Sequence, residues 1–192
     1  MRKIIALLLC AALLLGLCGC SWINLFAAMD EAADSRTREE TEDFVRAHRS
    51  WMTAAGQQLL ALFPNNARPN ACYVVEPLQG DRMRARDELS PKALEFDSPE
   101  CRVLLEDGTV VSITVCKGVV RFSCGGAGIA PASTYYDACY VPSDDMGLCF
   151  GYSDQMEFTR KDGGMLGEIP GSDDTFFCLP LGDHLYFCVS TF

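Results

Sequence analysis

Residues 174–192 read DTFFCLPLGDHLYFCVSTF, and this pattern predicts a β-hairpin at the end of the chain. Two runs rich in aromatic and branched residues flank a three-residue loop, Gly182-Asp183-His184, a length typical of hairpins. This register places Cys178 directly opposite Cys188, which makes the pair our candidate disulfide. It also places six apolar side chains on one buried face: Phe177, Leu179, Leu181, Leu185, Phe187 and Val189.

A second hairpin is predicted over residues 111–124, where apolar and polar side chains alternate. A two-residue Lys117-Gly118 turn would pair Val115 with Val120 and Ile113 with Phe122. Thr114 and Arg121 would then share the opposite face. Cys124-Gly125-Gly126-Ala127-Gly128 follows the strand without the helix and lysine of a phosphate-binding loop, so we expect a bulge or turn that needs positive φ.

Upstream, the pattern predicts one long amphipathic helix. Apolar residues recur at three- and four-residue steps from Phe44 to Phe63, and Pro64-Asn65-Asn66 stops the helix. His48 lies on the apolar stripe, where a packed core residue is the expected role rather than a ligand or a catalyst. Further strands are predicted at residues 71–76, 134–141 and 148–152, whereas residues 79–97 look charged and irregular, with room for a short helix after Ser90-Pro91.

Residues 98–107 allow two interpretations. Ser98 as N-cap, Pro99 at the first helical position and Gly108 as the stop favour a helix. Asp107-Gly108 could instead close a hairpin. With the helix preferred, the fold class is α+β: one long N-terminal helix packed on an antiparallel sheet of about six or seven strands.

The first twenty residues, MRKIIALLLCAALLLGLCGC, have the pattern of an export signal. Arg2 and Lys3 precede an apolar run that ends near small residues. Leu17-Cys18-Gly19-Cys20 resembles the lipobox of bacterial lipoproteins, with Cys18 an unusual occupant of its second position. The resemblance implies cleavage after residue 19, a diacylglycerol on Cys20, acylation by fatty acids such as palmitate, and lipid anchoring on the extracytoplasmic side of the membrane. An uncleaved transmembrane helix and a fully secreted form are the alternatives.

Three segments follow from this pattern: a signal peptide (1–19), a charged spacer (20–43) and a single α+β domain (44–192). The spacer is either a solvated helix or a frayed linker. The chain carries a net charge of −10, and removal of Arg2 and Lys3 with the signal leaves −12. Such an acidic surface repels phosphate backbones, so nucleic acid is excluded as a partner, and acylated Cys20 is expected to be the contact with membrane lipid.

Eight cysteines follow Cys20, but the sequence shows no C-x-x-C and only two histidines. We therefore expect no metal site and no cofactor. The acidic pairs also lack the alternating spacing of a calcium loop. A thiol-dependent enzyme would need a cysteine beside His48 or His184, and no motif selects such a pair.

The outward face of the predicted sheet is a candidate binding surface. It collects six side chains from the two hairpins: Thr114, Arg121, Phe176, Cys178, Tyr186 and Cys188. One face of the 134–141 strand adds Tyr136 and Tyr140. Either these side chains form an exposed recognition platform, or residues 153–174 or the 98–107 helix cover them as a second core layer, which is the preferred interpretation. The expected function is thus a membrane-tethered, non-enzymatic binding or interaction module, with a thiol-dependent enzyme using a Cys/His pair as the alternative.

Overall fold

The computed structural model describes residues 36–63, 71–87, 93–127, 133–150 and 156–192. The chain divides into two units, Met1–Ser35 and Arg36–Phe192. The export signal, Cys20 and residues 20–35 of the spacer lie outside the described residues. Among the helices that the structure describes, none is long and apolar enough to cross a membrane.

The unit from Arg36 is organised around a single antiparallel sheet of ten strands. In spatial order the strands run β3-β2-β1-β4-β5-β6-β10-β9-β8-β7. The strands are β1 Cys72–Pro77, β2 Arg82–Asp87, β3 Ala93–Asp97, β4 Ser112–Cys116, β5 Val119–Ala127, β6 Thr134–Tyr140, β7 Glu157–Lys161, β8 Gly164–Glu168, β9 Thr175–Gly182 and β10 Leu185–Thr191. Three short α-helices and one 3-10 helix complete the described part: α1 Arg38–Ala47, α2 Arg49–Leu62, α3 Pro99–Glu106 and η1 Met146–Cys149.

The predicted fold class was wrong about both the number of strands and the long helix. Over the described ranges, the sheet has ten strands rather than six or seven, and its α-helices are short. The missed strands β2, β3, β7 and β8 form the two ends of the sheet, where solvent reaches the side chains and charge replaces apolar alternation. In β2, for example, only Met83 and Ala85 are buried apolar residues, so its sequence RMRARD looks irregular.

The long helix is divided at His48. This residue leaves the helical conformation (φ −100°, ψ 13°), and its Nδ1 lies 2.9 Å from the carbonyl oxygen of Phe44. Helix α1 starts from a capping box formed by Thr37 and Glu40, and it buries Thr41 and Val45. Residues 36–43 of the predicted spacer therefore lie within the compact unit.

The first two residues of the strand predicted at 148–152 belong to the 3-10 helix η1 instead, and residues 151–152 lie outside the described residues. The side chain of Asp145 accepts a hydrogen bond from the backbone N–H of Gly147, 3.0 Å away, and thereby caps this helix. The helix predicted at residues 98–107 is confirmed, with Ser98 as N-cap and Pro99 in the first turn.

Both central hairpins have the predicted registers. Val115 faces Val120 and Ile113 faces Phe122. The Lys117-Gly118 turn has positive φ at both positions (51° and 77°), as a type I′ turn requires. Cys178 faces Cys188 across β9 and β10.

The predicted bulge after Cys124 is also confirmed. The pairing of β5 with β6 shifts between Ser123 and Gly126, and Gly125 has a φ of 83°. A Cβ at Gly126 would lie 2.3 Å from the carbonyl oxygen of Thr134, so only glycine fits there.

Two hydrophobic cores lie on opposite faces of the sheet. The helix face carries the larger core, which includes Met52, Phe122 and Phe187 and is covered by the three helices. We call the other the cysteine face; its core contains Val119, Cys139, Val141, Cys149, Phe150, Phe176, Cys178, Tyr186 and Cys188. The outward face is therefore covered by a second core layer, as expected. The 98–107 helix packs on the helix face instead, and η1 with part of the 156–169 segment contributes the cover.

Helix α2 approaches the sheet closely at Gly56. A Cβ there would lie 2.5 Å from Cγ of Tyr140, a separation that no real side chain tolerates. We expect Gly56→Ala to lower the free energy of unfolding by about 1–3 kcal/mol, because the overlap outweighs the gain in helix propensity of up to about 1 kcal/mol. Urea titration measures the change. Gln57→Ala, at the exposed neighbouring position, is the matched control and should be close to neutral; equal stability of both variants would contradict the close approach.

Candidate functional site

Four cysteines converge on the cysteine face. Cys139 comes from β6, Cys178 from β9 and Cys188 from β10, and Cys149 covers them from η1. Each of the four is at most 1% exposed. Three thiols therefore lie on the sheet and the fourth lies above it.

Each sulfur atom lies close to at least two of the others. Sγ of Cys178 lies 3.5 Å from Sγ of Cys188 and 3.9 Å from Sγ of Cys149. The Sγ atoms of Cys139, Cys149 and Cys188 all lie within 4.8 Å of one another. We call these four residues the thiol cluster.

Arg121 fixes η1 over the cluster. It faces Cys139 in the β5–β6 register, and its guanidinium donates a hydrogen bond to the carbonyl oxygen of Cys149. The same group lies 3.9 Å from the carboxylate of Asp137, whose pKa is raised to about 6, chiefly by burial. A cation thus lies beside the thiols, where it can compensate negative charge on sulfur.

The thiols of the cluster differ in acidity. The pKa of Cys178 is lowered to about 6, chiefly by its hydrogen-bond contacts with Cys149 and then Cys188. The pKa of Cys188 is raised well above its usual value, first by burial. The pKa of Cys139 is raised as well, first by its hydrogen bond with Cys149. The close sulfur contacts therefore lower the pKa of one thiol of the cluster and raise the pKa of two others.

A polar triad lies at the end of this face. Oδ1 of Asp144 accepts a hydrogen bond from the phenol of Tyr186 (2.7 Å) and lies 2.9 Å from Nδ1 of His184. These contacts lower the pKa of Asp144, with the hydrogen bond from His184 as the largest cause. Burial and the bond to Asp144 raise the pKa of Tyr186. Asp144 has a φ of 57°, so a turn in the left-handed region presents its carboxylate to both partners.

Beside Tyr186, a groove of about 510 Å³ opens to solvent. The end of β7 and the following turn form one wall, with two cations, Arg160 and Lys161, on the strand and one anion, Asp162, in the turn. The remaining lining residues are Met146, Gly163, Gly164, Met165, Pro180 and Tyr186. We call this the basic groove, because its cationic wall contrasts with the acidic chain.

The residues predicted to bind do not form one surface. Arg121 and Tyr186 are brought together, since both face Cys139 in their registers. Tyr136 and Tyr140 lie on the helix face instead. Tyr140 is buried against Gly56, and Tyr136 stacks on Phe187 with ring centroids 6.3 Å apart.

The structure also shows where the cysteines and histidines of the predicted disulfide and of the alternative thiol enzyme lie. Cys178 and Cys188 are opposite each other as free thiols, while the disulfide joins Cys72 and Cys116 across β1 and β4. His48 contacts the carbonyl oxygen of Phe44 and His184 contacts Asp144, so Nδ1 of each histidine faces oxygen rather than a thiol.

Sequence reasoning missed Cys139, Cys149 and the basic groove. Both faces of β6 are apolar, so alternation does not show which face Cys139 occupies. Cys149 was assigned to a strand that is a 3-10 helix. The one available signal was the hairpin register, which already placed Cys178 and Cys188 on the outward face.

We expect Tyr186→Phe to raise the pKa of Asp144 towards the usual value of about 3.9, because the variant removes a donor to the carboxylate. The contact stabilises the ionised form of Asp144. Its contribution to folding stability is therefore fully present above the ordinary pKa of the carboxyl and is lost as pH falls through the lowered pKa. NMR titration of the Asp144 carboxyl carbon measures this. Tyr135→Phe, an exposed tyrosine on β6, is the control; an unchanged Asp144 titration in Tyr186→Phe would contradict the triad.

No family model, no curated protein and no solved structure matches this chain. Its function is therefore inferred from the sequence and from the geometry of the described residues.

Proposed function

We propose that the protein is an extracytoplasmic lipoprotein whose domain is a non-enzymatic binding module. Its ligand is a small molecule with an apolar part and an anionic group. The observation that carries this proposal is the basic groove between the β7–β8 turn and Tyr186.

The size and lining of the groove suit a small ligand. Its volume of about 510 Å³ lies within the range of small-molecule sites, roughly 300–1,000 Å³. Met146, Met165 and Pro180 offer apolar surface, and methionine adapts to varied shapes. Arg160 and Lys161 supply the charge that an anionic group requires.

The thiol chemistry gives less support to the alternative, a thiol-dependent enzyme. A nucleophilic cysteine works from a partially exposed position beside a base. Cys178 has the lowered pKa but is 0% exposed, and both histidines contact oxygen atoms. Among the described residues, the thiol cluster therefore lacks the solvent access and the neighbouring histidine that nucleophilic catalysis on an external substrate uses.

Two features of the sequence support the proposed lipid anchor: the lipobox-like Leu17-Cys18-Gly19-Cys20 and the negative charge of the chain. Acyl chains on Cys20 anchor firmly, because each buried CH₂ contributes about 0.8 kcal/mol. The acidic domain is repelled by anionic headgroups, so lipid rather than protein charge holds it at the membrane.

For the tether, we expect Cys20→Ala to abolish incorporation of labelled palmitate and to release the protein from the membrane fraction. Cys18→Ala is the matched control: it changes a cysteine two positions away but keeps the lipobox, so labelling should persist. Labelling of the Cys20→Ala protein would show that the lipobox assignment is wrong.

For the groove, we expect the Arg160→Ala/Lys161→Ala double variant to lose at least tenfold in affinity for an aliphatic or aromatic carboxylic acid that binds the wild type. The probes are a panel of such acids and their methyl esters, measured by NMR shift perturbation at Met165 and Tyr186. Esters should bind more weakly, because they lack the charge.

Arg86→Ala serves as the control, because Arg86 is exposed on β2 in the other half of the sheet and pairs with Glu76 at 3.0 Å. Its affinity for the probe should equal that of the wild type. If no acid perturbs the groove, or if the double variant binds equally well, the ligand class is wrong.

A further inference from the structure

Independently of the basic groove, we propose that the thiol cluster is a structural Zn²⁺ site with four cysteine ligands, Cys139, Cys149, Cys178 and Cys188. This reverses the expectation from the sequence, which showed no C-x-x-C and few histidines. The ligands come from four separate elements, so no short spacing motif marks them.

Five of the six sulfur–sulfur separations suit a tetrahedral site. The sixth, between Cys139 on β6 and Cys178 on β9, spans β10, so these two ligands must move closer together as the metal binds. Three thiols lie on adjacent or diagonal positions of β6, β10 and β9, and Cys149 approaches them from above. Zinc binds thiolate sulfur at about 2.3 Å, which sets ligand sulfurs about 3.8 Å apart in a tetrahedron. The contacts of 3.5 and 3.9 Å from Cys178 bracket this separation, and the other three sulfurs already lie within 4.8 Å of one another.

The surroundings also suit a closed metal site. All four ligands are buried, which leaves no open coordination position for water or substrate. Partly buried apolar side chains pack around the cluster: Met146, Leu148, Met156, Phe158 and Ile169. A shell of this kind is typical of a structural site and excludes solvent.

Arg121 provides an outer contact and one positive charge beside the tetrathiolate, and it shares that charge with Asp137, 3.9 Å away. Four thiolates and one Zn²⁺ carry a net charge of −2, and the guanidinium lies beside Cys139 while holding the carbonyl of Cys149. Such outer hydrogen bonds orient the ligand-bearing backbone. Arg121 is thus a positioning residue for the site.

Binding is a simple exchange of protons for metal. Each of the four S–H bonds breaks, each sulfur forms one bond to Zn²⁺, and four protons pass to water. No electron is transferred, so neither an oxidant nor a reductant takes part. Because a buried site is not preformed in the unfolded chain, the metal binds as η1 closes over the sheet, and its binding free energy stabilises the fold.

The test uses the full chain, purified anaerobically in detergent. Its zinc content is measured by elemental mass spectrometry. We expect one zinc per wild-type chain, and a lower melting temperature after chelation. Replacement by Co²⁺ should give the sulfur-to-cobalt charge-transfer bands and intense d–d bands of a tetrahedral tetrathiolate.

Cys149→Ser should lose the metal and these bands, because it removes the ligand above the sheet while leaving the strands intact. Cys124→Ser is the matched control: this buried thiol lies on the helix face, outside the cluster, and its variant should keep one zinc. The wild-type Co²⁺ spectrum does not depend on the folding of either variant.

Two results would overturn the proposal. A disulfide within the cluster, most directly Cys178–Cys188, found in the purified chain by peptide mass mapping, would assign these cysteines to a covalent crosslink. Four free thiols that bind neither Zn²⁺ nor Co²⁺ after reduction would show that the cluster is ordinary core packing.

Discussion

Alternation of side chains along β5, β6, β10 and β9 is the constraint on which the rest of the molecule depends. Each of these strands buries both faces, so Phe187 belongs to the helix-face core while its neighbour Cys188 belongs to the cysteine face. A slip of one residue would exchange the two cores.

The register of these strands is held by the turns between them. Lys117 and Gly118 both have positive φ, and so do Gly182, Asp183 and His184 in the last hairpin. The bulge at Gly125 then corrects the pairing of β5 with β6, which lets Arg121 and Cys139 face each other.

Prediction from the sequence succeeded where local chemistry alone determines structure. The turn at Lys117-Gly118, the N-cap at Ser98 and the opposition of Cys178 and Cys188 each follow from a few adjacent residues, and all are confirmed. It failed at the ends of the sheet, because strands such as β2 are held there by cross-strand pairs between charged residues, for example Arg86 with Glu76. It also failed at His48, where the chain leaves the helical conformation despite a continuous apolar stripe.

The candidate sites depend on contacts between distant segments, which explains why the sequence showed so little of them. The sequence places Arg121 and Tyr186 on the outward face, where the structure has them. Tyr136 and Tyr140 belong to the opposite core, because β6 carries apolar side chains on both of its faces and alternation does not separate them. The basic groove needs the β7–β8 turn beside Tyr186, and neither strand was predicted. Cys149 reaches the thiol cluster only because Asp145 caps a 3-10 helix in place of a strand.

The sheet also separates three kinds of cysteine chemistry within one small domain. On the helix face, burial raises the pKa of Cys101 to about 11 and that of Cys124 to about 12, so both stay protonated and behave as small apolar side chains. Cys72 and Cys116 are covalently joined across β1 and β4, at a position remote from the cluster in strand order.

On the cysteine face, four thiols meet beside a cation, because Arg121 donates a hydrogen bond to the backbone of Cys149 instead of extending into solvent. Arg121 therefore connects the register of the central strands to the chemistry of the face: if β5 shifted by one residue, the thiols would lose their only adjacent guanidinium within the described part of the chain.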